Sequence, residues 1–109
     1  MGFTLKKDEF SQARGSYSRI VNILCRKCKT LIAVYQKDGP GNLRRMYMDR
    51  IYDPLNLVKL KEKPIEKIPE LKCHHCKRIL GTPFFYEKDK RKTYRMYQDA
   101  VIKKTRKKS

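Results

Sequence analysis

Four cysteines, arranged as two pairs, constrain the fold of this chain more than any other feature. The pairs are Cys25-Arg26-Lys27-Cys28 and Cys73-His74-His75-Cys76, with 44 residues between them, and the chain has no other cysteine. Zinc favours thiolate ligands in closed structural sites, and a two-residue spacer lets a tight turn aim both sulfurs at one ion. The sequence therefore predicts a single structural Zn²⁺ with the ligands Cys25, Cys28, Cys73 and Cys76.

Two disulfide bonds would be the other use of four cysteines. Disulfides need an oxidising compartment and are rare in the cytosol. Residues 1–7 lack the apolar run of a secretion signal, and no apolar run approaches the roughly 20 residues that span a bilayer. We therefore expect a cytoplasmic, zinc-binding protein that has no membrane partner.

The residues that follow each cysteine pair form an internal repeat. Three blocks match in the same order, at an offset of 48 to 51 residues. The blocks begin at Cys25 and Cys73, at Tyr35 and Tyr86, and at Arg45 and Arg95. We interpret this pattern as a duplication in which each half supplies two of the zinc ligands.

The local pattern predicts a mainly β domain built from this duplication. Residues enriched in β-branched and aromatic side chains predict strands over 17–24, 30–35, 43–52, 79–86 and 93–102, and a short strand from Leu71 into the second cysteine pair. Between the halves, Pro64 and Pro69 argue against a long helix. We expect a flexible arm or short helix over 1–14, a folded domain over 15–102 with halves of roughly 15–60 and 64–102, and a disordered basic tail over 103–109.

Charge is the strongest functional signal in the sequence. Lys and Arg total 28 against 11 Asp and Glu, which gives a formal net charge of +17. Four thiolates bound to one Zn²⁺ lower this only to about +15, whereas solubility needs a net charge of about 2 to 8 for a small domain. Such an excess predicts attraction to a polyanion, and nucleic acid is the commonest polyanion in the cytosol.

The second half carries a family resemblance. Cys73-x-x-Cys76-Lys77-Arg78-Ile79-Leu80-Gly81, followed by aromatic residues, an acidic residue and Tyr-Arg-Met-Tyr, resembles the second zinc knuckle of Yippee-like proteins. Those proteins belong to the β-tent group, with the thalidomide-binding domain of cereblon and the B-type methionine sulfoxide reductases. The resemblance covers about residues 17–104 and implies two antiparallel sheets joined at their apex by one zinc ion. A simple zinc ribbon would have similar cysteines.

Departures from these relatives indicate a protein that is not an enzyme. The reductases use a redox-active cysteine beyond the metal ligands, but here all four cysteines are assigned to zinc. A cereblon-like ligand cage uses tryptophan, which is absent. The chain also has no paired carboxylates at helical spacing, no glycine-rich phosphate loop and no nucleophile beside a base. We therefore expect no catalytic residues, no organic cofactor and no small-molecule substrate.

We predict that the protein binds RNA in preference to DNA, because no recognition-helix pattern is present. Structured RNA or a ribosomal particle is the leading partner, with ribosomal proteins as further contacts. The candidate nucleic-acid-binding residues are Arg26, Lys27, Arg45, Tyr47, Lys77, Arg78, Lys90, Arg91, Lys92, Arg95, Tyr97, Lys103, Lys104, Arg106, Lys107 and Lys108.

Other interpretations of the same residues stay open at this point. The cations beside the cysteines also offset the negative charge of a four-thiolate site, and the Arg-Met-Tyr blocks could serve core packing and strand pairing. His74 and His75 are best explained as surface residues. The alternative function is a β-tent adaptor that recognises an acidic peptide or partner protein, and a redox or metal-relay role for the cysteine pairs is a third hypothesis.

Overall fold

The computed structural model describes residues 18–39 and 42–105, half of which belong to two sheets. The strands are β1 (Ser18–Cys25), β2 (Leu31–Asp38), β3 (Arg45–Tyr47), β4 (Ile51–Asp53), β5 (Leu71–Lys72), β6 (Ile79–Tyr86), β7 (Arg91–Met96) and β8 (Val101–Thr105). All neighbouring strands are antiparallel. The predicted fold class, a mainly β domain of two antiparallel sheets, is confirmed.

The two sheets exchange strands between the halves of the chain. The strand order is β4-β2-β1-β8 in the first sheet and β3-β7-β6-β5 in the second. Strand β8, from the second half, therefore borders the first sheet, and β3, from the first half, borders the second. In the β3–β7 pair, Arg45 lies directly opposite Arg95, so the equivalent arginines of the two repeats are neighbours. Backbone hydrogen bonds thus join the halves independently of the cysteines.

The segments 43–52 and 93–102 each form two strands, so the prediction of one strand in each was wrong. A 3₁₀ turn at Met48–Arg50 separates β3 from β4, and a turn over 97–100 separates β7 from β8. Asp99 in the second turn has a positive φ of 59°. Each turn carries the chain from the second sheet to the first. Because the residues on both sides of each turn are extended, their strand pattern does not reveal the crossing.

The other strand predictions agree with the structure apart from their ends. Strand β6 has the predicted bounds, and β1 is displaced by one residue. Strand β2 begins one residue later than predicted and ends three residues later, at Asp38. Strand β5 is only two residues long.

The folded domain also extends further toward the C-terminus than the predicted boundary at residue 102. Strand β8 continues to Thr105, with Lys103, Lys104 and Thr105 paired to Ile23, Asn22 and Val21 of β1. Backbone pairing needs no apolar side chain, which is why the charge pattern did not reveal this extension. The predicted arm over 1–14 and the rest of the predicted tail, 106–109, lie outside the described residues.

The hydrophobic core contains side chains from both sheets. Val21 and Ile23 of β1, Met46 of β3 and Leu80 of β6 are all fully buried. Gly81 allows β6 and β7 to approach closely, because a Cβ atom there would lie 2.9 Å from the carbonyl oxygen of Arg95. A larger residue would have to displace the backbone of the neighbouring strand.

The connection between the halves contains only short helical turns. Helix α1 spans Leu55–Val58, and 3₁₀ turns follow at Lys59–Glu62 and Ile65–Lys67. The absence of a long helix between Asp53 and Leu71 confirms the prediction made from the prolines. In the part of the chain that the structure describes, no helix is long and apolar enough to cross a membrane.

Candidate metal centre and adjoining basic groove

The four cysteine thiols converge in one cluster where the two halves meet. Their sulfur atoms all lie within 4.8 Å of one another. Two close approaches join the halves: Cys25 Sγ lies 3.7 Å from Cys76 Sγ, and Cys28 Sγ lies 3.5 Å from Cys73 Sγ. Four sulfurs at about 2.3 Å from one Zn²⁺ would be about 3.8 Å apart in a regular tetrahedron. The cluster can therefore hold one metal ion, and its size and ligand type fit zinc.

The two cysteine pairs adopt the same turn. The backbone N–H of Lys29 donates to the carbonyl of Cys25 at 2.7 Å, and that of Lys77 donates to the carbonyl of Cys73 at 2.9 Å. Both lysines have a positive φ, 65° and 68°. This conformation reverses the chain immediately after the second cysteine, so that both sulfurs of a pair face the same point. Matching turns are what the predicted duplication requires.

The lysine side chains complete each turn in the same way. Lys29 Nζ donates to the carbonyl of Arg26 at 2.7 Å, and Lys77 Nζ donates to the carbonyl of His74 at 2.9 Å. Each lysine ammonium is thereby held against the backbone of its own cysteine turn. His74 and His75 are exposed, as predicted. Among residues 18–39 and 42–105, the four cysteines are the one cluster of three or more potential metal ligands.

The thiols differ in acidity when no metal is bound. Hydrogen bonds with the side chain and backbone of Thr30 lower the pKa of Cys28 to about 5, against the opposing effect of burial. For Cys76, the backbone N–H of Arg78 favours the thiolate, but burial and the neighbouring cysteines outweigh it and raise the pKa to about 11. A divalent cation would remove this difference in acidity, because it stabilises all four thiolates together.

A groove of about 870 Å³ lies beside the first cysteine pair. It is bordered by the segment before β3, by β3 and β6, and by the crossing from β7 to β8. Among the described residues that line it are five cations and one acidic residue, Asp99. The cations are Arg26, Arg44, Arg45, Arg95 and Lys103. We call this surface the basic groove.

Aromatic rings lie among these cations. Phe84, Tyr86 and Tyr97 line the basic groove. The guanidinium carbon of Arg45 lies 4.2 Å from the centroid of the Tyr86 ring, and Arg45 Nε donates to the hydroxyl of Tyr47 at 3.1 Å. Arg45 is therefore held against the wall of the groove, whereas Arg44 and Arg95 are exposed.

The sequence-predicted candidates separate into those that line the groove and those that do not. The groove brings together Arg26, Arg45, Arg95, Tyr97 and Lys103 from both halves of the chain. Lys27, Lys77, Arg78, Lys90 and Lys104 are exposed but do not line it. Arg106, Lys107 and Lys108 lie outside the described residues.

Three candidates have structural contacts that account for their positions. Arg91 is 5% exposed, donates to Asp49 and lies 3.8 Å from the centroid of the Tyr47 ring. Tyr47 is buried, and its backbone N–H donates to the hydroxyl of Tyr35 at 2.8 Å. Lys92 Nζ donates to the carbonyls of Lys61 and Lys63. For these residues the packing interpretation fits better than the nucleic-acid one.

Sequence reasoning did not select three cationic or aromatic residues of the groove: Arg44, Phe84 and Tyr86. Arg44 precedes the repeated block, and the composition of the aromatic run Phe84-Phe85-Tyr86 suits both core and surface. Strand alternation separates this run, because Phe84 and Tyr86 face the groove whereas Phe85 does not line it. The period-two pattern was the signal that could have identified Phe84 and Tyr86.

Comparisons with known proteins gave no match: none of the family models, curated proteins or solved structures that were searched matches this chain. The function must therefore be argued from the metal centre and the groove.

Proposed function

We propose that this protein is a zinc-stabilised RNA-binding domain whose basic groove holds the phosphate backbone of a structured RNA, such as that of a ribosomal particle. The observation that carries this proposal is the composition of the groove, which has five cations, one acidic residue and three aromatic rings. Cations bind phosphates and release condensed counterions, while aromatic rings contact bases.

Internal pairing of acidic residues supports the proposal. Asp38 contacts Arg50 and Asp49 contacts Arg91, so both carboxylates face buried arginines. Neither aspartate lines the basic groove. The groove therefore keeps a positive potential that would attract a polyanion.

The shortness of the helices favours RNA over duplex DNA. A recognition helix must reach into a major groove, but the α-helix in the described part of the chain has only four residues, Leu55–Val58. Single-stranded and looped RNA is commonly bound on β surfaces that carry basic and aromatic side chains. Ribosomal proteins are further proposed contacts in the same particle.

The proposed metal is one structural zinc ion, and the proposed architecture is the β-tent that the resemblance to Yippee-like proteins implies. Zinc would fix the first cysteine pair and, through it, Arg26, which lines the groove. The backbone N–H of Arg26 donates to the carbonyl of Ala100 at 3.1 Å, which links this cysteine pair to the crossing before β8. The proposed role is binding in the cytoplasm, without catalysis.

The test compares two double variants that remove the same charge. Arg44→Ala/Arg95→Ala alters exposed cations of the groove, and Lys59→Ala/Lys67→Ala alters exposed cations outside it. Binding of the zinc-loaded proteins to a structured ribosomal RNA fragment is measured over a salt series. The groove variant should reduce the slope of log K against log salt by about 0.7 to 0.9 for each phosphate that the groove no longer neutralises.

The control variant should bind nearly as well as the unaltered protein. An acidic peptide and duplex DNA serve as competitors. Equal reductions in affinity from both double variants would show that the binding is a non-specific effect of charge. Displacement of the RNA by the acidic peptide at equal charge concentration would instead favour the adaptor function.

A further inference from the structure

The three rings of the basic groove differ in how much of their surface is available. The Tyr86 ring is covered by the guanidinium of Arg45 on one side and packs against Phe84, with centroids 6.2 Å apart. Phe84 and Tyr86 are both half-buried. Tyr97, in contrast, is 48% exposed. It is therefore the ring of the groove that can best accept a stacked partner.

Tyr97 is also held in place although it is exposed. Its hydroxyl and Thr82 Oγ1 form a 2.8 Å hydrogen bond. Its backbone N–H donates to the carbonyl of Leu80 at 3.0 Å, and its carbonyl accepts from the N–H of Ala100 at 3.2 Å. Ligand binding would therefore cost little side-chain entropy at this residue.

The cations around Tyr97 indicate the chemistry of the partner. Arg95 lies two residues before it and Lys103 lies on β8, the next strand along the chain, and both line the same groove. A flat ring beside cations fits a nucleotide, whose base stacks while its phosphates pair with the cations. In a duplex the faces of the bases are stacked on one another and cannot meet a protein ring.

We infer that the basic groove binds an unpaired stretch of RNA and that one base stacks on Tyr97. This inference rests on the proposed RNA-binding function and adds the class of RNA and the residue that selects it. Arg44 and Arg95 hold the adjoining phosphates, while Arg45 stays fixed against Tyr86. The groove thereby distinguishes loops and single strands from paired stems.

The test uses an oligouridine that carries one 2-aminopurine and an RNA duplex of equal length, each with zinc-loaded protein. Stacking on the ring quenches 2-aminopurine fluorescence. Tyr97→Ala should weaken single-strand binding by about tenfold or more, within the range of one base–aromatic stack, and should abolish the quenching. Duplex binding should not change. Tyr97→Phe, which keeps the ring, should retain the quenching.

Phe85→Ala is the matched control, because Phe85 is an exposed ring, at 39%, that does not line the groove. It should leave both RNA affinities unchanged. Unchanged single-strand affinity and quenching in Tyr97→Ala would overturn the stacking inference and leave RNA binding intact. Preference of the unaltered protein for the duplex would also overturn it. Failure of the unaltered protein to bind either RNA would overturn the proposed function itself.

Discussion

At the scale of single residues, two arginines are buried in the part of the chain that the structure describes, and an aspartate contacts each of them. Arg50 Nε lies 2.8 Å from Asp38, and the two side chains are only 2% and 8% exposed. Ser18 Oγ also donates to Asp38, at 2.6 Å. In the second pair, Arg91 is buried but Asp49 is 40% exposed. A buried charge is costly without a partner, so Asp38 has the more important stabilising role.

This difference predicts unequal effects of two alanine substitutions. Asp38→Ala should lower the free energy of unfolding by about 3 to 5 kcal/mol, because it leaves a buried guanidinium without its carboxylate. Asp49→Ala should cost less, since its carboxylate is partly solvated and Arg91 keeps its contact with the Tyr47 ring. Urea unfolding of the zinc-loaded proteins measures both. Equal decreases in stability would contradict the assigned difference in burial.

Because the Tyr35 hydroxyl is buried, we expect the folded protein to lose stability at alkaline pH. Burial raises its pKa above the ordinary value of 10.0, despite the hydrogen bond that its hydroxyl accepts from the Tyr47 N–H. Above pH 10 the unfolded chain releases this proton while the folded protein retains it, so stability falls as pH rises, by up to about 1.4 kcal/mol per pH unit.

The measurement compares the protein with Tyr35→Phe at pH 8 and at pH 11. Phenylalanine cannot ionise, so the variant lacks this contribution at high pH, although it loses the hydroxyl hydrogen bond at both values. The stability advantage of the unaltered protein should therefore shrink between the two pH values. A constant difference would show that the Tyr35 hydroxyl ionises equally well in both states.

At the scale of strands, sequence patterns predicted those elements whose partners are close in the chain. Strand β6 has its predicted bounds because its residues, the cysteine pair before it and the turn after it are all local signals. The crossings at Met48–Arg50 and 97–100 are different, because they depend on which sheet accepts the next strand. That choice is made by long-range pairing, which a single-sequence pattern does not contain.

The last three residues of strand β8 should contribute to the stability of the domain. A chain that ends at Ile102 removes Lys103, Lys104 and Thr105, which pair with β1 from Ile23 to Val21. It should be less stable than a chain that ends at Thr105 by about 1 to 3 kcal/mol, from the loss of a few backbone hydrogen bonds. Thermal unfolding of the two zinc-loaded chains tests this. Equal stability would mean that residues 103–105 behave as the tail that their charge suggested.

At the scale of the whole molecule, the convergence of the four cysteines was predictable and the complete groove was not. The cysteine spacing alone indicates the geometry of the site, since two residues between thiols suit one tetrahedral ion. The groove instead takes Arg44 and Arg45 from the first half, and Phe84 and Arg95 from the second. Only the exchange of strands between the sheets brings these residues together. Charge could indicate the kind of partner but could not place its binding surface.

Removal of the metal tests whether the ion holds the two halves of the chain together. The thiol contacts join Cys25 to Cys76 and Cys28 to Cys73, so the ion would cross-link both halves. A structural zinc site can contribute on the order of 10 kcal/mol, which is comparable to the whole stability of a small domain. Chelation should therefore abolish the cooperative unfolding transition that circular dichroism measures, and added Zn²⁺ should restore this transition. Cys73→Ser should behave like the chelated protein, whereas His75→Ala, at an exposed site, should retain zinc. If the metal-depleted protein still unfolds cooperatively at the same temperature, the strand exchange alone holds the halves together.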